Sequence, residues 1–132
     1  MDPADAIREL KDLSTQIDAV VLAQGDGSPI ASTLADDRAA RVGKLAADLV
    51  GRADGVRSDL GREALAQVQA ATPDGSVFVV LDGGRMAVAT TGADPTVGLV
   101  FYDLKTLLRQ VAEEPSEAPA EAPTESKEAA DA

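Results

Sequence analysis

The run SVFVVL at residues 76–81, apolar after its first residue, constrains the fold more than any other feature of this chain. A strand that is apolar on both faces is covered on both faces, so the run predicts a place inside a sheet that lies between two layers of helices. Pro73-Asp74-Gly75 precedes the run and Gly83-Gly84 follows it, and connections this short join antiparallel neighbours. The predicted result is an antiparallel meander of three strands over residues 63–72, 76–82 and 85–91.

The first half of the chain carries signals for two helices and a hairpin. Asp2 and Pro3 form a start signal, after which apolar residues recur at helical spacing. The Asp36-Asp37 pair is predicted to cap a second helix, and the glycines at 51, 55 and 61 are expected to bracket its end. The predicted elements are a helix over 3–16, strands over 18–23 and 29–34, and a helix from 36 or 37 to about 53.

The end of the chain divides into a helix and a tail. Asp94-Pro95 repeats the start signal and opens a third helix that runs to about Glu113. Residues 114–132 are mostly Glu, Ala, Pro and Ser without a large apolar residue, and are predicted to be disordered because they cannot bury enough surface. We call this segment the acidic tail.

The element order is therefore α-β-β-α-β-β-β-α. It predicts an α/β (α+β) fold, a three-layer α/β/α sandwich around a five-stranded antiparallel sheet. We expect one domain over residues 1–113, followed by the acidic tail.

Composition excludes several classes of function. The chain contains no Cys and no His, which removes the common nucleophile arrangements, thiolate and imidazole metal sites, and the usual group for proton transfer near neutral pH. The formal charge is −11, and an acidic chain is repelled by phosphate backbones and anionic lipid. We predict a cytoplasmic, non-enzymatic protein that needs no cofactor and neither binds nucleic acid nor inserts into a membrane.

Two motifs that resemble ligand sites have simpler interpretations. Gly25-Asp26-Gly27 is followed by a proline and a strand instead of a helix, so it is read as a hairpin turn and not as a phosphate loop. Asp36 and Asp37 could hold a divalent cation, but their place at a helix start explains them as a cap. The sequence therefore predicts no catalytic, cofactor-binding or metal-binding residues.

The second helix carries the most informative surface. Five of its residues share an arc of about 80° at 100° per residue, and Lys44 borders that arc. An apolar residue ringed by arginines is typical of an interface anchor. The alternative is a solvated face in which Asp48 pairs with Arg41 or Arg52. The five candidate partner-binding residues are Arg38, Arg41, Leu45, Asp48 and Arg52.

The third strand is the second candidate surface. It has no internal Pro or Lys that would block an unpaired edge, so a second copy could pair with it. The alternative is a protected edge. The residues assigned to this dimer edge are Leu65, Gln67, Val68 and Gln69.

The element order and several strings together resemble the roadblock/dynein light chain family over about residues 4–112. The strings are VVLAQGDGSPIAS, an Ala-rich second helix before Leu60-Gly61, EALAQVQA, VFVVLDGGRMAVAT, and a closing helix near Val97-Gly98-Leu99. The resemblance implies a homodimer, formed through the third strand and the second helix, that regulates or scaffolds a Ras-like small GTPase. A structural adaptor that joins assemblies without nucleotide-dependent binding is the alternative. The low aromatic content suits a bacterial origin.

Overall fold

The computed structural model describes residues 1–60 and 67–112. Its elements are α1 (Pro3–Leu13), β1 (Ile17–Gln24), β2 (Pro29–Ser32), α2 (Asp36–Asp59), β3 (Gln67–Thr72), β4 (Gly75–Asp82), β5 (Arg85–Thr91) and α3 (Val97–Ala112). The order agrees with the prediction, and the strands form one antiparallel five-stranded sheet, which confirms the predicted fold class. The predicted acidic tail lies outside the described residues.

The sheet has the strand order β2-β1-β5-β4-β3. The first hairpin, β1–β2, joins the meander β3–β4–β5 through a long antiparallel pairing of β1 with β5. The tight turn between β4 and β5 uses Gly83 and Gly84 at φ 59° and 81°, a conformation that suits glycine. Consequently β5 is central, β4 is interior, and β2 and β3 form the two edges.

Helices cover both faces of the sheet. In β4, Phe78 and Val80 point into a core shared with α1 and α3, whereas Val79 points into a second core beneath α2. The Phe78 ring meets the Phe101 ring of α3 edge-on, with ring centroids 5.0 Å apart. The apolar run at 76–81 is thus explained by two cores that lie on opposite faces of one strand.

Helix α2 is longer than the sequence suggested. It ends at Asp59, so Gly51 and Gly55 lie inside the helix and the prediction of an end near Ala53 is wrong. Neither glycine has a neighbour within 4 Å of the position that a Cβ would take. Among the described residues, no helix combines the length and the apolar character needed to cross a membrane.

The helix starts also differ from the prediction. Ala35 is the N-cap of α2 and makes no side-chain cap hydrogen bond. Asp36 and Asp37 instead place negative charge in the first turn, where the Asp37 carboxylate accepts a hydrogen bond from the backbone N–H of Arg38 at 2.9 Å. Helix α3 begins at Val97, two residues after Pro95. Asp94 takes a left-handed conformation at φ 57°, and the carbonyl of Thr96 accepts the first helical hydrogen bonds.

A close approach of two glycines seats α2 on the β1–β2 turn. A Cβ on Gly27 would lie 2.6 Å from the carbonyl oxygen of Gly43, and a Cβ on Gly43 would overlap the carbonyl oxygen of Gly27. Gly27 also has φ 98°, which favours glycine. The hairpin turn predicted at residues 25–27 is therefore confirmed, and it doubles as a packing contact for the helix.

We expect Gly43→Ala to lower the free energy of unfolding by about 1–3 kcal/mol, because overpacking forces the helix away from the turn. Gly51→Ala in the same helix is the matched control, since its Cβ would enter open space. That change should raise the free energy of unfolding by about 0.5–1 kcal/mol. Urea unfolding followed by circular dichroism measures both, and equal effects would contradict the close approach.

Candidate partner-binding surface

Helix α2 has a buried face of small residues and an exposed face of charged ones. Ala39, Gly43, Ala46 and Val50 are buried toward the sheet. The five candidate residues lie together on the exposed side of α2, and Leu45 at their centre is 62% exposed. We call this set the arginine face: Arg38, Arg41, Leu45, Asp48 and Arg52.

One ion pair lies on the arginine face. The Arg52 Nε donates to the Asp48 carboxylate at 3.0 Å, with both side chains well exposed. Exposed pairs four residues apart contribute only about 0.3–0.5 kcal/mol to stability. Within residues 1–60 and 67–112, no carboxylate lies within 4.0 Å of the guanidinium group of Arg38 or Arg41. The solvated-face interpretation accounts for Asp48 and Arg52 and leaves the other two arginines without a structural role.

An apolar stripe continues from the arginine face toward the C-terminal end of α2. Its members are Leu45, Leu49, Val56 and Leu60, which fall within about 60° of the helix wheel. Val56 is 62% and Leu60 is 65% exposed. Sequence reasoning missed these two because it ended the helix near Ala53. The available signal was the recurrence of apolar residues at spacings of four and seven, which matches helical periodicity.

The outer edge of β3 is unpaired within the described part of the chain. Gln67 and Val68 are half-buried and Gln69 is exposed, while Leu65, assigned to the same edge, lies outside the described residues. The opposite edge is the four-residue strand β2, which begins with Pro29. Short strands and prolines protect edges, so the two edges differ in their capacity to accept another strand.

A groove of about 550 Å³ lies between α1 and β2. This volume suits a small ligand, but the basic side chains that line the groove are already engaged. Arg8 pairs with Asp5 at 2.7 Å, and Lys11 Nζ donates to the carbonyls of Ile17 and Asp18 at 3.0 Å each. Both basic side chains of the groove are therefore held by partners within the described residues.

A smaller cleft of about 70 Å³ lies between α1 and α3. Partial burial raises the pKa of Asp103, which lines the cleft, above its ordinary value. The hydroxyl of Thr106 is buried there without a hydrogen-bond partner among the described residues. No three His, Cys, Asp or Glu side chains in residues 1–60 and 67–112 are grouped so that they could hold a metal ion.

The exposure of Leu45 leads to a stability prediction. Leu45→Ala should change the free energy of unfolding by less than about 0.5 kcal/mol, because the side chain makes few contacts in the single chain. Leu104→Ala on α3 is the matched control at a site that is 0% exposed. It should cost about 2–5 kcal/mol. Thermal unfolding at low protein concentration compares them, and a similar cost at both sites would show that Leu45 is a core residue.

Comparison with known proteins identifies the fold. The Roadblock/LC7 domain profile matches residues 4–90, which confirms the resemblance found in the sequence. The Roadblock/LC7 domain from Streptomyces avermitilis superposes with a TM-score of 0.78 at 19% identity, covering 85% of this chain and 96% of that chain. No curated protein matches the chain in sequence.

Two further solved structures share the fold. Myxococcus xanthus MglB has a TM-score of 0.71 at 16% identity, covering 83% of this chain and 90% of that chain. The gliding protein MglB from Thermus thermophilus has a TM-score of 0.68 at 14% identity, with 85% and 90% covered. At sequence identities this low, these superpositions establish a common fold and nothing further.

Proposed function

This chain belongs to the Roadblock/LC7 domain family, and from that membership we propose that it is a non-enzymatic, homodimeric regulator or scaffold of a Ras-like small GTPase. It would tune the nucleotide cycle of the GTPase or its placement in the cell. The observation that carries the proposal is the arginine face, where Arg38 and Arg41 stand free of ion pairs with the described residues, around an exposed leucine.

The composition of the arginine face suits a protein partner. Arginine is enriched at the centres of protein interfaces, where an apolar anchor surrounded by polar groups provides much of the affinity. The face also lies on a helix that packs firmly on the sheet, so little conformational entropy is lost on binding. Any effect on GTP hydrolysis would come from repositioning the partner's own groups, with an arginine supplied in trans as a further contribution.

The homodimer is supported by apolar surface that the single chain leaves uncovered. Val68, Val77 and Leu81, at the β3–β4 end of the sheet, are only half-buried on the side that α2 occupies. Val56 on α2 and Leu60 at its C-cap are exposed. A second copy that pairs along β3 and packs against α2 would cover both sets. MglB is recorded in a tetrameric arrangement, so at least one relative in fold associates with itself.

The dimer proposal predicts the effect of a charge on the β3 edge. Gln69→Lys should convert a dimer at micromolar concentration into a monomer, because self-pairing brings the added charges of two copies together on one face. Gln24→Lys, at the end of the interior strand β1, is the matched control and should remain dimeric. Light scattering measures the mass of each. A monomeric unmodified chain, or a dimeric Gln69→Lys variant, would remove the edge-pairing argument.

The GTPase proposal predicts the effect of reversing charge on the arginine face. The double variant Arg41→Glu and Arg52→Glu should lose about tenfold or more in affinity for the GTPase, which corresponds to at least ~1.4 kcal/mol. The matched control, Lys105→Glu with Arg109→Glu, reverses two exposed charges on α3 and should bind normally.

The experiment is an affinity capture from the native cell in the presence of GTP or GDP, followed by binding measurements with the captured GTPase. Equal loss in both double variants would indicate a general charge effect. Unchanged binding would return the arginines to the solvated-face interpretation.

A structural adaptor is the second candidate, and the unpaired β3 edge favours it because that edge could accept a strand of a different chain. An adaptor should capture the same partners whether GTP or GDP is present. A regulator should discriminate between the two nucleotides, so the capture experiment separates the two functions.

A further inference from the structure

Positive charge is concentrated in the middle of α2. From Arg38 to Arg52 the helix carries four basic residues and one acidic residue, Asp48, which is paired with Arg52. The other four acidic residues of α2 lie near its two ends, at 36, 37, 54 and 59. Helices α1 and α3, on the opposite face of the sheet, together carry four basic and four acidic residues. The central part of α2 is therefore an exposed cationic surface in an acidic chain.

The acidic tail has the complementary charge. Together with Glu113 it contains seven acidic residues and one lysine, with no arginine. Its glutamates recur every three or four residues at 117, 121, 125 and 128. A segment of this kind is repelled by acidic surface and attracted to the cationic surface of α2.

We propose that the acidic tail docks on the arginine face of α2 and occupies it when no partner is bound. Exposed ion pairs are weak one at a time, but tethering makes the tail's effective concentration about millimolar, so several weak contacts act together. The tail contacts Arg38, Arg41 and Lys44, whose charged side-chain groups have no carboxylate within 4.0 Å among the described residues.

The tail is long enough to reach α2 from the end of α3. Layers of packed secondary structure lie about 10 Å apart, so α2 and α3, on opposite faces of the sheet, are separated by about 20 Å. The twenty residues that follow Ala112 span at most roughly 70 Å when extended. This reach is roughly three times the separation of the two helices, which leaves length for the chain to pass around the edge of the sheet.

A docked tail would regulate the site on which it lies, and this consequence rests on the proposed GTPase function. A tail and a GTPase that use the same arginines exclude each other. The apparent affinity for the GTPase then falls by the fraction of molecules in which the face is free, about two- to tenfold if the tail occupies it half to nine-tenths of the time. The tail would act as a competitor built into the chain.

The test of docking uses the full chain alone. Because the sequence contains no Cys, Ala122→Cys provides a single attachment point for a nitroxide in the acidic tail. The nitroxide should broaden backbone amide signals of residues 38–52 in low salt. The broadening should disappear in about 1 M salt, where charges are screened within roughly 3 Å. Replacing the glutamates at 117, 121, 125 and 128 by glutamine should also abolish it.

Matched charge reversals locate the docking surface. Arg41→Glu with Lys44→Glu should abolish the broadening at α2. Lys105→Glu with Arg109→Glu on α3, much nearer to the tail along the chain, should leave it in place. Broadening that is absent at residues 38–52, that spreads evenly over the domain, or that survives the α2 reversal overturns the proposal.

A second measurement separates this proposal from the function on which its regulatory part rests. If the chain binds a GTPase, the variant whose tail carries four glutamines should bind that GTPase about two- to tenfold more tightly than the unmodified chain. Normal nitroxide broadening without any GTPase binding would leave tail docking intact and defeat the proposed function. GTPase binding without broadening would support the proposed function and overturn tail docking.

Discussion

The structure depends on a sheet whose interior strands are apolar on both faces. Alternate residues of β1 divide between the two cores: Val20 and Leu22 face α1 and α3, while Val21 and Ala23 face α2. At about 25 cal/mol per Å² of apolar surface, leaving either face in water would cost more than a chain of this length can recover. Both helical layers are therefore needed. The surfaces that remain for partners are the parts of the sheet that the helices do not cover and the outer sides of the helices.

The two layers solve this problem differently. On one face, α1 and α3 bring large residues, including Phe101 and Leu104, against Phe78. On the other, α2 alone approaches the sheet closely through small residues, and the contact of Gly43 with Gly27 fixes its position on the β1–β2 turn. A single helix cannot cover the whole face. The β3–β4 end stays half-buried and the outer side of α2 stays exposed, and the two candidate interaction surfaces lie at these two places.

Much of the candidate surface could be predicted from the sequence because helical periodicity assigns residues to faces without knowledge of the partner element. The arginine face follows from this periodicity, and its members share an exposed side of α2. The glycines alone did not locate the end of the same helix, since glycine is common both just beyond a helix and, at a cost of about 1 kcal/mol, inside one. The predicted end near Ala53, between Gly51 and Gly55, excluded Val56 and Leu60 from the predicted surface.

The sequence by itself determined the order of elements, the antiparallel meander and the need for helices on both faces, because these follow from local turn chemistry and from the period of apolar residues. Tertiary structure decided that β5 rather than β4 is central, since the pairing of β1 with β5 joins segments that are far apart in the chain. It also decided that β2, a short strand that begins with proline, is one edge of the sheet and that β3 is the other. These long-range pairings depend on which faces of the elements pack against each other, so a local sequence pattern does not predict them.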